Sequence, residues 1–380
     1  MNKKIISNIR NLLLVLLAIF LPFSVAVTNI IVVFLFISVL VEGEYRVKIN
    51  KILSSKWMIS LILLLILYYF SFFIYGQFSD TIWILKRVSI LWTLPILYSV
   101  SFSKKTIYKS VFSFLLSMFF SSLIAISENL SLINLNGENW TWSAFLKYTD
   151  HNVFLAVSII ISIFSIYKLK IQGKYKKSIL FFLPFYIFSI FTEAGKSGQI
   201  LLVLLLILLF LYFFKRNFKK FIISVTVLFV GLFLIFNTSE IVEKRYTENI
   251  KNSRSNFLKY SLQLIHDNPV LGYGAGSFRD VFGEINLHTK KLVKWQHKTP
   301  HNNYFYVWIE LGSLGLIFLL SIFYFQLREL YQEPHGFIRI LLPIMYLCLM
   351  IMDSYLFNQN TLILYVFLSV IVINYQYRLS

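Results

Sequence analysis

The sequence predicts an all-α polytopic membrane protein, and three observations lead to this class. Of its 380 residues, 58% are hydrophobic and only 14% are charged, which leaves too little polar surface to enclose the apolar side chains in water. Long uncharged stretches recur along the whole chain, as membrane-spanning helices require. Stretches such as Leu201 to Phe214 are apolar on every face, which excludes the alternating pattern of a membrane β-barrel.

About twelve spans are predicted, and one long loop divides them into two groups. Residues 1–237 hold spans one to nine, residues 238–302 form the long external loop with short amphipathic helices, and residues 303–380 hold spans ten to twelve. The first two spans form a hairpin that is broken at Pro22. The predicted spans are Leu12 to Pro22, Val25 to Val41, Trp57 to Tyr75, Ile82 to Ser101, Ser110 to Ile126, Asn152 to Tyr167, Ser178 to Thr192, Ser197 to Phe214, Phe221 to Phe236, Asn303 to Phe325, Ile340 to Met352 and Thr361 to Tyr375.

Basic residues orient these spans. One set of loops holds 22 of the 36 Lys and Arg residues, whereas the short loops on the other side hold only Lys86, Arg87, Lys147 and Lys196. Basic loops stay in the cytoplasm, so both termini are predicted to be cytoplasmic and the 238–302 loop external. The net charge of +19 then comes mainly from loops that face anionic lipid, and it does not indicate a nucleic-acid partner.

The topology and the residue content exclude several kinds of site. The longest predicted cytoplasmic loop runs only from about Glu42 to Lys56, too short for a domain that binds a cytosolic nucleotide sugar. No Asp-x-Asp pair lies on the external side to hold Mg²⁺ on a diphosphate, so Arg and Lys are expected to neutralise any phosphate. The single cysteine, Cys348, cannot form an intrachain disulfide, and no zinc-binding spacing of Cys and His is present.

The external loop is predicted to contain an amphipathic helix followed by a glycine-rich turn. Apolar residues recur there at helical spacing and are expected to face the membrane surface: Phe257, Leu258, Leu262 and Ile265. Asn268-Pro269 end this helix. Gly272-Tyr-Gly274-Ala-Gly276 is not a dinucleotide fingerprint because its third glycine is misplaced. These glycines indicate either a tight backbone turn or direct contact with a substrate.

The loop ends in Thr299-Pro300-His301-Asn302 and runs directly into a predicted span. Proline is favourable in a first helical turn, so His301 is expected at the external N-terminus of that helix. The positive end of the helix dipole favours an uncharged imidazole, which suits a general base; a helix cap or a contact with lipid headgroups is the alternative. At about 100° per residue, Tyr304 and Trp308 share the face of His301, while Glu310 points to the opposite side.

Three further positions lie at predicted external ends of spans. Lys196, in Gly195-Lys196-Ser197-Gly198, either neutralises Glu193 or binds a phosphate as a point charge. Asn152, in Asp150-His151-Asn152, belongs either to a helix cap or to a substrate cavity. Arg87 either reaches lipid headgroups or faces the same cavity.

Taken together, Arg254, the run NPVLGYGAGSF and the run HNNYFYVWIELGSLGL resemble the O-antigen ligase and Wzy-type polymerase superfamily. Its members show an Arg before a Pro-hydrophobic-Gly-x-Gly-x-x-Phe turn, then His-Asn and Glu-x-Gly-x-x-Gly entering a helix. The late external loop in a chain of about twelve spans is similar too.

The resemblance implies an inverting glycosyltransferase of the bacterial inner membrane, without metal or other cofactor, whose active site faces the periplasm. Its donor is a glycan on undecaprenyl diphosphate, and its other partners are a glycolipid acceptor and membrane lipids. The catalytic histidine of the family falls on His301, its loop arginine on Arg254 and its second arginine on Lys196, which lacks the planar fork for a diphosphate. The predicted substrate cavity comprises Asn302, Tyr304, Trp308, Asn152, Arg87, Gly272 and Gly274.

Two classes of function remain open at this point. As an enzyme, the chain is a ligase if its acceptor is lipid A core, and this is the preferred interpretation. It is a polymerase if the acceptor is a second lipid-linked repeat, and an oligosaccharyltransferase if the acceptor is a protein hydroxyl. As a transporter of a lipid-linked glycan, it would use intramembrane charges such as Glu310 and Asp353. The concentration of polar residues in one external loop favours the enzyme.

Overall fold

The computed structural model describes residues 3–135, 142–167, 173–193, 195–215, 217–238, 253–289 and 298–374. The described chain is helical almost throughout, which confirms the predicted class. It divides into two compact units: unit 1 comprises residues 1–14, 29–107 and 251–380, and unit 2 comprises residues 15–28 and 108–250. Two parts of the predicted external loop, residues 239–252 and 290–297, lie outside the described residues.

Each of the twelve predicted spans falls on a helix. In chain order the described elements are α1 (Lys3–Phe20), α2 (Val25–Glu42), α3 (Tyr45–Leu53), α4 (Lys56–Tyr75), α5 (Thr81–Leu91), α6 (Thr93–Tyr98), α7 (Lys104–Asn129), β1 (Trp142–Ser143), β2 (Leu146–Lys147), α8 (Tyr148–Tyr167), α9 (Gly173–Thr192), α10 (Lys196–Phe214), α11 (Phe218–Thr238), α12 (Ser253–Asp267), α13 (Phe278–Thr289), α14 (Asn303–Gln332), α15 (Gly336–Arg339), α16 (Leu341–Met352) and α17 (Gln359–Asn374).

Seven helical segments of the described chain are long and apolar enough to cross a membrane, so the protein is multi-pass. They are Val25–Glu42, Lys56–Tyr75, Thr81–Tyr98, Lys104–Asn129, Tyr148–Ile166, Lys196–Phe214 and Asn303–Gln332. The total of twelve spans stays a prediction. The predicted span Ile82 to Ser101 is divided into α5 and α6, because Pro95 lacks the N–H that a continuous helix would direct to the carbonyl of Leu91.

Unit 1 is built around the packing of α14 on α4. A series of aromatic rings extends from this interface to the loop helices α12 and α13, with neighbouring ring centroids 5.1–6.1 Å apart. Its members are Tyr68, Phe357, Tyr306, Phe278, Phe282 and Phe257. These rings are all buried, so the two loop helices are anchored on the helices of unit 1 by apolar packing.

The predicted helix with Arg254 in its first turn is confirmed as Ser253–Asp267, which ends just before Asn268-Pro269. The contact of its apolar residues with the membrane surface stays a prediction. Phe257, Tyr260 and Leu264 are buried, whereas Leu258 and Leu262 are 49% and 47% exposed. The buried residues follow the three- and four-residue spacing of one helix face. The face that packs in unit 1 is therefore the one that bears Tyr260.

Unit 2 consists mainly of α7 to α11, with α8 packed between α9 and α10. Strands β1 and β2 form a short antiparallel hairpin that pairs Trp142 with Lys147. Glu128 accepts a hydrogen bond from the backbone N–H of Ala144 in this hairpin at 2.7 Å. This hairpin is a small departure from the predicted all-α class.

Candidate active site

His301 lies two residues before α14 and not within its first turn, which corrects the prediction. Helix α14 begins at Asn303, and the side chain of Asn302 caps it by accepting hydrogen bonds from the N–H groups of Tyr304 and Phe305 at 2.9 and 3.1 Å. Asparagine is among the best N-cap residues, so the helix starts after it. The angular argument that placed His301 on a face with Tyr304 and Trp308 therefore does not apply.

The backbone of His301 adopts a left-handed conformation with φ of 55°. A residue with a Cβ pays about 1 kcal/mol or more for this conformation, and such strain is concentrated at functional sites. Phe257 of α12 contacts the imidazole edge to face, with 5.4 Å between the ring centroids. The ring is thus held by a packed aromatic neighbour while its side chain stays 35% exposed.

The partner of His301 is Asp353, which follows the last residue of α16. Nδ1 of His301 lies 3.0 Å from Oδ1 of Asp353, and the Asp353 side chain is 32% exposed. A carboxylate only accepts, so Nδ1–H donates this hydrogen bond. A carboxylate that fixes the tautomer and orientation of a histidine is the arrangement in which imidazole acts as a general base through Nε2.

Three consecutive residues bind the segment around Asp353. His301 binds the Asp353 carboxylate, the Asn302 amide lies 3.5 Å from the carbonyl of Ile351, and Oδ1 of buried Asn303 accepts from the N–H of Leu356 at 3.0 Å. Residues 351–356 and the start of α14 are therefore joined at three successive positions. This explains why the His-Asn-Asn run stands where the loop meets the helix.

The glycine-rich turn docks on a break in α14. Gly312 has φ of 64° and ψ of −165°, which interrupts the helix and frees carbonyls in the preceding turn. The N–H groups of Tyr273 and Gly274 donate to the carbonyls of Ile309 and Glu310 at 2.8 and 2.9 Å. A Cβ on Gly312 would lie 2.0 Å from the Val270 carbonyl oxygen, so only glycine permits this approach.

This docking determines the positions of Gly272, Gly274 and Trp308, whereas Tyr304 is held by α16. Gly272 lies against the break, where a Cβ would lie 2.5 Å from the nitrogen of Gly312, and Gly274 packs against Tyr75. Trp308 donates from Nε1 to the carbonyl of Pro269 at 2.9 Å, and the Tyr304 hydroxyl donates to the carbonyl of Leu347 at 2.9 Å. Gly312 makes the break in α14 that receives the loop.

Glu310 belongs to the same docking. It is fully buried, and its Oε1 accepts a hydrogen bond from the N–H of Gly276 at 2.9 Å. The other carboxylate proposed for a transport path, Asp353, binds His301. Both carboxylates thus have partners in unit 1 that explain their presence.

Helix α12 connects Arg254 to this region. Arg254 lies three residues before Phe257, which is one helical turn, and Phe257 contacts His301. Arg87 of α5 donates to Oε1 of Gln359 at the start of α17, and its guanidinium lies 5.3 Å from the Trp83 ring centroid. Arg87, His301 and helix α12 all belong to unit 1.

In unit 2, the structure brings Asn152 to the turn that carries Lys196. Lys196 is the first residue of α10, and Gly195 and Gly198 pack directly on Asn152, since a Cβ on either would lie 2.4 Å from an Asn152 atom. Asn152 is fully buried, and neither polar atom of its amide has a hydrogen-bond partner within the described part of the chain. A buried amide without a partner is costly, which favours a ligand-binding role for it.

Beside this turn lies a second histidine–carboxylate pair. Nδ1 of His151 is 2.7 Å from Oε1 of Glu193, which also accepts from the Ser189 hydroxyl at 2.7 Å. Nε2 of His151 is hydrogen-bonded to the Ser121 hydroxyl at 2.9 Å. All four side chains are buried, so this network anchors the end of α9 to α7 and α8.

Sequence reasoning missed two features of unit 1. In the sequence Asp353 is only an isolated intramembrane charge, because its separation of 52 residues from His301 carries no signal of contact. No motif singles out Arg279 and Lys298, yet their side chains contact the buried carboxylate of Asp80 at 3.6 and 3.2 Å. The only available signal was their position in the loop that contains the other candidates.

A comparison with known protein families agrees with the resemblance given above. Residues 179–320 match the family described as O-antigen ligase. This match includes Lys196, Arg254, the glycine-rich turn and His301, and it confirms the resemblance predicted from those motifs. A comparison with curated proteins found no match.

Proposed function

We propose, from the match of residues 179–320 to O-antigen ligases and from the His301–Asp353 pair, that this chain is an inverting glycosyltransferase of the inner membrane. It moves a glycan from undecaprenyl diphosphate to a sugar hydroxyl of lipid A core, on the periplasmic side. The coarser assignment, a membrane enzyme of the O-antigen ligase and polymerase type, follows from the family match. The donor, the acceptor, the orientation and the mechanism are our proposal.

The reaction is a single displacement. Nε2 of His301 takes the proton of the acceptor hydroxyl as the acceptor oxygen attacks the anomeric carbon. The bond between that carbon and the diphosphate oxygen breaks, and its electron pair leaves with undecaprenyl diphosphate. The Asp353 carboxylate, 3.0 Å from Nδ1, stabilises the imidazolium that forms. Attack from the side opposite the leaving group inverts the anomeric carbon.

The leaving diphosphate needs positive charge, and two residues are assigned to it. Arg254 is assigned by the resemblance and by its position one turn from the ring that contacts His301. Lys196 is assigned by the resemblance and by its place at the first residue of α10, since a helix N-terminus favours anions. Asn152, a buried amide beside this turn, is a donor suited to the same group.

The observation that carries the proposal is the partly exposed His301, which lies within the matched region, with its orienting carboxylate Asp353. The test is transfer of labelled glycan from undecaprenyl diphosphate by the full chain in lipid vesicles that contain lipid A core. His301→Ala is expected to lower the rate by about 10²- to 10⁴-fold, the usual contribution of a general base. The matched control is His266→Ala, because His266 lies in the last turn of α12 and its side chain is 91% exposed.

The products distinguish the alternatives. Label on lipid A core supports ligation, and label on a second lipid-linked repeat would make the chain a polymerase. Label that crosses the vesicle membrane without a new glycosidic bond would make it a transporter. Normal transfer by His301→Ala, with correct insertion of the variant, would overturn the mechanism.

A further inference from the structure

The glycine-rich turn begins at Pro269, and two large apolar side chains stand at its tip. Val270 and Leu271 are 63% and 68% exposed. The turn that holds them is fixed to α14, because the carbonyl of Pro269 accepts hydrogen bonds from Nε1 of Trp308 and from the N–H of Ser313, both at 2.9 Å. Two adjacent apolar side chains that project from a fixed turn form a candidate contact surface.

The turn lies beside the last helical turn of α4. The N–H of Ala275 donates to Oγ of Ser71 at 2.9 Å, and a Cβ on Gly274 would lie 2.7 Å from the Cβ of Tyr75. Helix α4 has 20 residues, so it is about 30 Å long, which is the thickness of the hydrocarbon core of a bilayer. Ser71 lies four residues before its end. The glycine-rich turn is therefore level with the outermost 6 Å or so of a membrane-spanning helix.

The neighbouring surface of unit 1 is apolar as well. Phe73 and Ile74, in the last turn of α4, are exposed, and so are Leu314 and Ile317 of α14, just beyond the helix break. Both helices belong to segments that are long and apolar enough to cross a membrane, and exposed apolar side chains on such helices face lipid. The tip of the turn thus adjoins the lipid-facing surface of two spans.

The backbone of the turn meets the condition for a place at membrane depth. Irregular backbone is tolerated there only where the protein satisfies its polar groups. Pro269 has no N–H group, and its carbonyl accepts two hydrogen bonds. The carbonyl of Gly272 accepts from the amide of Asn268 at 2.6 Å, and the N–H groups of Tyr273 and Gly274 donate to carbonyls of α14. The docking on α14 therefore removes much of the cost of burying this turn in lipid.

Amphipathic aromatic residues surround the turn. Tyr75 packs against Gly274, Trp308 donates to the carbonyl of Pro269, and the hydroxyl of Tyr273 donates to the carbonyl of Leu264 at 3.3 Å. Tyrosine and tryptophan are enriched where the hydrocarbon core meets the headgroups. Their presence on the turn agrees with the level given by α4.

We propose that the glycine-rich turn is a re-entrant membrane element, and that Val270 and Leu271 insert among the acyl chains of the leaflet in which α4 ends. The partner of this surface is the hydrocarbon of the bilayer. The turn connects α12 to α13, so its insertion holds both loop helices at a fixed distance from the membrane. This inference does not depend on the proposed reaction, because it concerns where the loop is held and not what it binds.

The test measures the depth of a spin label on the full chain in phosphatidylcholine vesicles. Cys348 is replaced by Ser, so that Leu271→Cys supplies the one cysteine that carries the label. Oxygen concentrates in hydrocarbon and a polar nickel chelate stays in water, so the ratio of their collision rates with the label reports its depth. The ratio at position 271 is expected to exceed that at a water-exposed position at least about fivefold, because hydrocarbon excludes polar groups.

Two reference labels calibrate this ratio. His266→Cys is the water-exposed control, since His266 lies in the last turn of α12 and its side chain is 91% exposed. Phe73→Cys is the lipid-exposed control, since Phe73 of α4 is 79% exposed. The label at 271 is expected to resemble the label at 73.

Val270→Cys is a second position for the label, which keeps the test decisive if Leu271→Cys does not insert into the vesicles. A ratio at 270 and 271 equal to that at 266 would place the tip in water and overturn the proposal. Low collision rates with both reagents would place the tip beneath another part of the protein and would overturn it as well.

Discussion

Two histidine–carboxylate pairs, one in each unit, share the same chemistry and differ in their surroundings. In unit 1, Nδ1 of His301 lies 3.0 Å from Asp353, and the side chains are 35% and 32% exposed. In unit 2, Nδ1 of His151 lies 2.7 Å from Glu193, and the side chains are 0% and 2% exposed. The second pair is shorter, and it belongs to a buried network in which His151 also binds Ser121 and Glu193 also binds Ser189.

The difference separates a reactive pair from a structural one. A general base must exchange its proton with a substrate, which requires that the ring be accessible. Both ring nitrogens of His151 are engaged in a buried network, and a network of this kind fixes the positions of helices. His301 shows the opposite combination, a strained backbone and a partly exposed side chain. This combination is expected at a functional site.

Among variants that keep His301, the largest effect is expected from Asp353→Asn in unit 1. Asparagine keeps an oxygen for the N–H of Ser354, which binds Oδ1 of Asp353 at 2.6 Å, but it removes the charge that stabilises the imidazolium. We expect kcat to fall about 100-fold with KM for both substrates and the melting temperature nearly unchanged. Vesicle assays at saturating substrate, together with thermal melting, measure this.

The control for this variant is Asp267→Asn, which removes a half-exposed carboxylate at the end of α12 and is expected to change neither quantity. Asp353 acts through His301, so it is a positioning residue. If the melting temperature of Asp353→Asn fell enough to account for the lost activity, the His301–Asp353 pair would be structural as well.

The sequence predicted the helices well, but it did not predict which distant side chains contact the site residues. All twelve apolar stretches fall on helices, because burial or membrane contact of a continuous apolar run leaves few alternatives to helix. The predicted span begins at Asn303, as α14 does, but the expectation that His301 belongs to this helix gives too much weight to Pro300 and too little to Asn302, a strong N-cap. Local rules of this kind are readable from sequence when they are weighed against each other.

The pairing of distant residues was not readable. Nothing in the run Leu341–Met352 indicates that the following Asp353 meets His301, and nothing near Asp80 indicates Lys298. Gly312 is read in isolation as a packing residue, and its role in the helix break appears only when the 269–274 turn is seen against it. Contacts across long sequence separations depend on the packing of whole helices, which a single sequence does not specify.

A smaller effect, on stability, is expected from Glu193→Ala in unit 2. The change leaves Nδ1 of His151 and the hydroxyl of Ser189 buried without their acceptor, which costs about 2 kcal/mol or more. The melting temperature is expected to fall by about 4–8 °C, while kcat per folded molecule changes less than tenfold. Glu193→Gln keeps an acceptor oxygen and is expected to lose less than half as much. A 100-fold loss of kcat without a change in melting temperature would make the buried pair catalytic and would remove the distinction between the two units.

The smallest effect is expected from Lys196→Arg. This variant tests whether unit 2 contributes to donor binding through Lys196 and not through His151. Arginine would restore the planar fork that the family resemblance leads one to expect, and a fork donates two parallel hydrogen bonds to a diphosphate where lysine offers a point charge. We expect KM for the lipid-linked donor to fall about two- to fivefold with kcat unchanged, and Lys196→Gln to raise it about tenfold. Donor titrations in the vesicle assay measure both variants, with His301 and Asp353 left intact. If Lys196→Gln left KM for the donor unaltered, other cations would have to bind the diphosphate. The role of unit 2 would then be limited to its buried hydrogen-bond network.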